Sequence, residues 1–175
     1  MNIKDTIRTI PDFPKPGIMF RDITTLMSNP KAFAESIKQL ADPYRDKGLD
    51  YVAGIDARGF VFGAAVAIEL GAGFVPIRKK GKLPYKTYTQ DYELEYGSDT
   101  LELHADAVGE ANKVLLIDDL IATGGTAEAA ALLLRKTGAD ILGAAFVIDL
   151  PDLGGADKIA NMGIPVTALV AFEGH

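Results

Sequence analysis

Strand-type apolar runs alternate with loops and helical patterns along most of this chain, and that rhythm restricts the fold more than any other feature. Tyr51–Ile55 leads through Asp56-Ala57-Arg58-Gly59 into an alanine-rich helix that stops at Gly71. Phe74–Ile77 runs into a basic loop, and Val114–Ile117 passes through a glycine-rich turn into a helix over 126–136, stopped by Gly138. Ile141–Leu150 and Pro165–Phe172 read as two more buried strands around a short helix over 156–162. Strands buried on both faces and joined by helices pair in parallel with right-handed crossovers. The expected fold class is therefore α/β, a central, mostly parallel sheet flanked by helices.

Two segments stand outside this rhythm. After Asn29, a helix cap with Pro30 behind it, Phe33, Ile37, Leu40 and Tyr44 recur at helical spacing until Pro43 disturbs it. Between Thr87 and His104, Tyr88, Tyr92, Leu94 and Tyr96 fall on alternate positions, as do Leu101 and Leu103, with Gly97-Ser98-Asp99 between the runs. That period predicts a hairpin, an arm over the mouth of the sheet. With 175 residues, no linker and no repeat, residues 1–175 are read as one domain.

Composition narrows the function. Eighteen basic against twenty-four acidic side chains leave a net charge of −6. That balance opposes a general nucleic-acid surface, so no nucleic-acid partner is expected. Arg78, Lys79, Lys80, Lys82 and Lys86 nevertheless form a local positive stretch with no acid among them, suited to a small polyanion. Cysteine is absent, which removes disulfides, thiolate metal sites and a thiol nucleophile. No apolar stretch reaches the length of a membrane span and no leader is recognisable, so no membrane partner and a cytoplasmic location are expected. His104 and His175 have no metal-ligand spacing, and no residue is assigned as a metal ligand.

The segment Val114-Leu115-Leu116-Ile117-Asp118-Asp119-Leu120-Ile121-Ala122-Thr123-Gly124-Gly125-Thr126 carries the chemistry. Four apolar residues make a strand, two carboxylates stand at its carboxyl end, and small and hydroxylated residues open a helix. Ligands of parallel sheets bind beyond the carboxyl ends of the strands. A helix N-terminus there offers unpaired N–H groups and the positive end of a dipole, which suits a phosphate. No lysine stands in the turn, so it is not the G-x-x-x-x-G-K-[ST] loop of nucleotide triphosphatases. Two acids aimed at a phosphate would repel it, but they make sense on paired sugar hydroxyls, directly or through Mg²⁺. A phosphate beside a cis-diol is a ribose phosphate.

This stretch resembles the phosphoribosyl-pyrophosphate signature of the type I phosphoribosyltransferases, and its Ala-Thr-Gly-Gly-Thr form is similar to that of the adenine-using branch. The likeness extends to Phe13–Thr24, Gly54–Phe60, Arg78–Pro84 and Leu94–Gly97, in the family's order. The resemblance implies the type I phosphoribosyltransferase fold, with residues 1–30 as a base-binding hood and 79–104 as a flexible loop and hairpin arm. It implies transfer of the ribose 5-phosphate of phosphoribosyl pyrophosphate to adenine, giving AMP and pyrophosphate in purine salvage, with Mg²⁺ required and a homodimer as the assembly.

Residue by residue, the resemblance assigns Asp118 and Asp119 to the ribose hydroxyls and Ala122, Thr123, Gly124, Gly125 and Thr126 to the 5′-phosphate. Asp56, Ala57, Arg58 and Gly59 fall to pyrophosphate, with Arg78, Lys79 and Lys82 in the mobile basic loop and Tyr96 beside the leaving phosphates. Glu95 matches the family's catalytic glutamate, placed to take a proton from the base or to steady a cation-like sugar carbon. Met19 and Arg21 would pair with the adenine edge through main-chain groups, Phe20 would stack on the ring, and Leu120 would cover its other face. Ala122 replaces the Asp by which 6-oxopurine relatives hydrogen-bond their base. Two other readings stay open: a phosphoribosyltransferase for another base, and a non-catalytic ligand sensor of the same fold. The second is disfavoured by the acidic charge and by a chain that reaches the Phe13 motif with no room for an added domain.

Overall fold

The computed structural model describes residues 2–94 and 96–174. Two strands, β1 (Arg8–Pro11) and β2 (Met19–Asp22), form a small antiparallel sheet, followed by α1 (Thr24–Met27) and α2 (Pro30–Ala41). The main body alternates β3 (Tyr51–Ile55), α3 (Arg58–Leu70) and β4 (Gly73–Lys79), then the hairpin β5 (Thr87–Leu94) and β6 (Gly97–His104). It closes with β7 (Lys113–Ile121), α4 (Gly125–Lys136), β8 (Asp140–Asp149), α5 (Gly155–Ala160) and β9 (Val166–Ala171).

The main sheet has seven strands in the order β5-β6-β4-β3-β7-β8-β9. Its five members from β4 to β9 are parallel, and the hairpin adds two antiparallel strands at the β4 edge. Side chains of the central strands alternate between two cores. Leu115, Ile117, Ala145 and Val147 pack with α2 and α3, while Val114, Leu116, Ala144 and Phe146 pack with α4. Burial on both faces explains why these strands are apolar without interruption. Asn29 caps α2 as its sequence predicts, accepting from the Ala32 N–H at 3.2 Å.

Several boundaries differ from the sequence expectation. The strand expected over 114–117 runs on to Ile121, because Asp118, Leu120 and Ile121 keep pairing with Phe146, Ile148 and Asp149 of β8. Gly97-Ser98-Asp99, expected between the hairpin strands, lie within β6 opposite Leu94, Glu93 and Tyr92. The hairpin, expected as an arm over the mouth of the sheet, extends the sheet at its β4 edge, since Arg78 and Lys79 pair with Glu102 and Leu101. The N-terminal sheet has no counterpart in the period analysis, because its strands are four residues each and half exposed.

The N-terminal sheet is pinned by a buried carboxylate. Asp22 accepts from Arg8 Nε at 3.0 Å, from the Thr24 hydroxyl at 2.6 Å and from the Thr24 N–H at 2.9 Å. The Thr24 hydroxyl first, then the Arg8 guanidinium, hold its pKa down at about 2. A depressed carboxylate stabilises the fold fully above its unfolded value of about 3.9 and loses that effect as pH falls through the folded value. Asp22→Asn should therefore lower the melting temperature by a few degrees near neutral pH, and the gap from the parent should shrink as the titration approaches pH ~2. A gap that is constant across that range would remove the carboxylate's charge from the explanation.

Candidate active site

The register of the sheet opens a crevice between β3 and β7. β7 pairs with β3 only from Val114 to Ile117, so from Asp118 onward that edge is unpaired while the β8 edge continues. The helices that follow, α3 and α4, pack on opposite faces of the sheet. Strands whose crossovers leave to opposite sides make the switch point at which open α/β sheets bind ligands. The turns after β3 and after β7 face one another across it.

These turns are tied together by charge. Arg58 donates from Nε to Asp119 at 2.6 Å, across 61 residues of chain, and Asp119 is only 7 % exposed. Arg78 donates to Asp56 at 2.9 Å. Asp118 accepts the Asp119 N–H at 2.8 Å, and burial, then the neighbouring Asp119 charge, push its carboxyl well above the ordinary range. A Cβ on Gly59 would stand 2.8 Å from the Asp118 carboxylate and 3.1 Å from the Ile117 carbonyl, so the first turn of α3 comes this close only without a side chain. The peptide bond between Asp56 and Ala57 is cis.

Two adjoining cavities lie along the crevice. The smaller, about 150 Å³, is lined by Ala122-Thr123-Gly124-Gly125-Thr126 and the first residues of α4. Gly124 occupies the cap of α4 in a left-handed conformation and supplies no side chain to the first turn, which leaves those N–H groups facing the cavity. The larger, about 430 Å³, is walled by Ile18, Met19, Phe20 and Arg21 on one side and by Leu120, Leu150 and Leu153 on the other, with Arg58 and Asp119 at its polar end. Asp118 and Leu120 line both cavities.

The structure thus brings Met19, Phe20, Arg21, Arg58, Asp118, Asp119, Leu120 and the turn 122–126 into one continuous site. Other expected residues lie outside both cavities. Asp56 and Arg78 are paired with each other, and Ala57 is exposed on its turn. Lys79 pairs with Asp99 of the hairpin at 3.2 Å, and Lys82 is exposed. Tyr96 is 82 % exposed, its ring 5.8 Å from Lys15 Nζ. Glu95, the expected catalytic carboxylate, lies outside the described residues, as does His175.

Sequence reasoning missed Leu150, Leu153 and Gly155. All three follow β8, whose carboxyl end adjoins that of β7, and the Gly154-Gly155 pair a few residues after a strand end was the available signal. Gly155 backs the small cavity: its N–H donates to the Ala122 carbonyl at 2.9 Å, and Gly124 packs against its backbone.

Comparison with known proteins agrees with this architecture. Residues 22–164 match the phosphoribosyl transferase domain. An adenine phosphoribosyltransferase of a Bradyrhizobium species is 59 % identical over all 175 residues, covering 98 % of that protein. The adenine phosphoribosyltransferase crystal structure from Thermoanaerobacter pseudethanolicus superposes with a TM-score of 0.91 at 48 % identity, over 97 % of this chain and 98 % of that one. The Saccharomyces cerevisiae enzyme, solved with adenine and an imino-altritol bisphosphate, gives 0.90 at 38 % identity over 96 % of each chain. Among the described residues no helix is long and apolar enough to cross a membrane. With its switch-point crevice, its small-residue turn and these relatives along its full length, the chain has the type I phosphoribosyltransferase fold and belongs to the phosphoribosyltransferase family, on the adenine phosphoribosyltransferase branch.

Proposed function

We propose that this protein transfers the 5-phosphoribosyl group of phosphoribosyl pyrophosphate to N9 of adenine, releasing AMP and pyrophosphate. The observation that carries this reading is the junction of the two cavities at Asp118 and Leu120. A phosphate at the α4 N-terminus and a planar base between Phe20 and Leu120 leave the ribose at that junction, beside both carboxylates. The N9–C1′ bond forms as the bond from C1′ to pyrophosphate oxygen breaks, and the N9 proton is lost.

In this reading Ala122–Thr126 hold the 5′-phosphate through first-turn N–H groups and the hydroxyls of Thr123 and Thr126. Asp118 and Asp119 accept the ribose hydroxyls. Arg58 and Arg78, with Asp56, Ala57, Gly59, Lys79, Lys82 and Tyr96, serve the pyrophosphate. Arg58 and Arg78 are each held by a carboxylate, Asp119 and Asp56, so a polyanion entering the crevice exchanges one negative partner for another. Main-chain groups of Met19 and Arg21 read the adenine edge, where a carbonyl that accepts from an exocyclic amine opposes a 6-oxo group. Faster nucleotide formation from hypoxanthine than from adenine, measured with labelled bases, would end the adenine assignment.

Glu95 is the proposed proton-transfer group. Glu95→Gln should lower kcat by ~10²-fold with substrate KM values little changed; turnover within twofold of the parent would remove it from the chemistry.

Mg²⁺ is the proposed cofactor. Among the described residues no three His, Asp or Glu side chains are grouped for a metal ion. The adjacent Asp118 and Asp119 fit an ion carried in on the substrate's own oxygens better than one caged by protein. When bound, Mg²⁺ neutralises charge on the departing pyrophosphate. We further propose a homodimer in the cytoplasm as the working form; Val61 and Ile68, exposed two turns apart on α3, support a partner surface.

A further inference from the structure

We infer that Phe172 is a positioning residue for adenine, holding the hood strand β2 against the body of the protein through Arg21. The inference rests on the adenine reading above and concerns how that site keeps its shape. Among the described residues the hood sheet shares no strand pairing with the seven-stranded sheet, so the wall that carries Met19, Phe20 and Arg21 depends on side chains for its distance from Leu120, Leu150 and Leu153. Ile3, Ile7, Ile23 and Leu26 anchor the chain on either side of this hairpin in the core. The strands themselves are half exposed.

Arg21 supplies the missing tie. Its guanidinium lies 4.2 Å from the centroid of the Phe172 ring and donates to the Thr9 hydroxyl of the neighbouring strand at 2.6 Å. Lys4 Nζ lies 4.8 Å from the same ring centroid. Phe172 is 9 % exposed, so this cation–π contact is partly shielded from water, which strengthens it. The segment after β9 also grips the opposite wall. The Phe172 N–H donates to the Asp149 carbonyl at 3.0 Å, and the Gly174 N–H donates to the Asp152 carboxylate at 2.7 Å. Asp149 and Asp152 flank the turn that presents Leu150 and Leu153 to the base cavity. Residues 172–174 therefore contact both walls of the cavity, Arg21 on one side and the turn carrying Leu150 and Leu153 on the other.

The two substrates separate this role from general packing. Phe172→Leu keeps an apolar side chain but loses the ring face; it should raise the adenine KM by about 5- to 10-fold and leave the phosphoribosyl-pyrophosphate KM within about twofold. Phe172→Tyr restores a ring face and should return the adenine KM to near the parent value. Thr9→Val, which keeps the fold's apolar anchors and removes only the acceptor for Arg21, should raise the adenine KM alone, and decides the matter if the Leu variant does not fold. An unchanged adenine KM in both Phe172→Leu and Thr9→Val, or a parallel rise in both KM values, overturns the inference. A parent enzyme that uses another base and not adenine overturns the functional reading, and this one with it.

Discussion

Replacing both Asp118 and Asp119 by alanine is expected to lower kcat/KM for phosphoribosyl pyrophosphate by about 10²–10⁴-fold, because each hydroxyl-to-carboxylate hydrogen bond contributes about 1.5–3 kcal/mol. Asp118 lines both cavities and Asp119 the larger one, beside the proposed ribose position. The loss should also release Arg58, whose Nε now donates to Asp119. Steady-state kinetics with phosphoribosyl pyrophosphate varied at saturating adenine measure the effect, and a change of less than threefold would remove the pair from the ribose.

A single exchange separates what the pair does for binding from what it does to the fold. The carboxyl of Asp118 is pushed up, first by burial and then by the charge of Asp119. A carboxyl whose folded pKa is raised favours the fold less as pH climbs from the unfolded value through the folded one, because the charged form is the one that burial penalises. Asp118→Asn keeps the oxygen that accepts the Asp119 N–H and carries no charge. At neutral pH its melting temperature should rise while its affinity for phosphoribosyl pyrophosphate falls. A variant that melts several degrees lower would show that the charge of Asp118 is already compensated by its surroundings. The same titration gives the parent a pH dependence: affinity for phosphoribosyl pyrophosphate should weaken as pH drops and Asp118 takes up its proton.

Gly155→Ala is expected to weaken phosphoribosyl-pyrophosphate binding by about 10²-fold, although Gly155 touches no proposed ligand group. A Cβ at this position would lie 2.5 Å from the Ala122 carbonyl oxygen and 2.8 Å from the Gly124 nitrogen, and neither backbone atom can turn aside as a flexible side chain would. Either α5 backs away and breaks the 2.9 Å bond from the Gly155 N–H to Ala122, or the turn itself moves into the small cavity. Both displace first-turn N–H groups by an appreciable fraction of an ångström at the proposed phosphate position. Calorimetric titration with ribose 5-phosphate is the direct measurement. Parent-like affinity in a folded Gly155→Ala protein would mean that α5 does not support the turn.

Much of the crevice lining was legible in the sequence. The turn 122–126 could be read because its parts are consecutive: an apolar strand, two acids, then small residues opening a helix, each with a local physical reason for its place. Strand and helix periods were equally local, and so were the cap at Asn29 and the stops at Gly71 and Gly138. Where the reading stopped short, the deciding contact was distant. Val114–Ile117 looks complete as a strand, and only the pairing of Leu120 and Ile121 with β8 shows that it continues. Tyr92 and Leu94 announce a hairpin, but its attachment to β4 depends on Arg78 and Lys79 meeting residues more than twenty positions later.

By itself, then, the order of residues determined the α/β class, the turn that opens α4, and the acids beside it, because period, capping and charge act between near neighbours in the chain. Tertiary structure decided the rest: that Arg58 closes on Asp119, that Leu150 and Leu153 complete the wall of the larger cavity, that Gly155 stands behind the turn 122–126 and that Arg21 rests on Phe172. Each of these joins residues tens of positions apart or more. Such pairs leave no periodic trace in a single sequence, since what brings them together is the register of the sheet and the packing of the elements on its two faces.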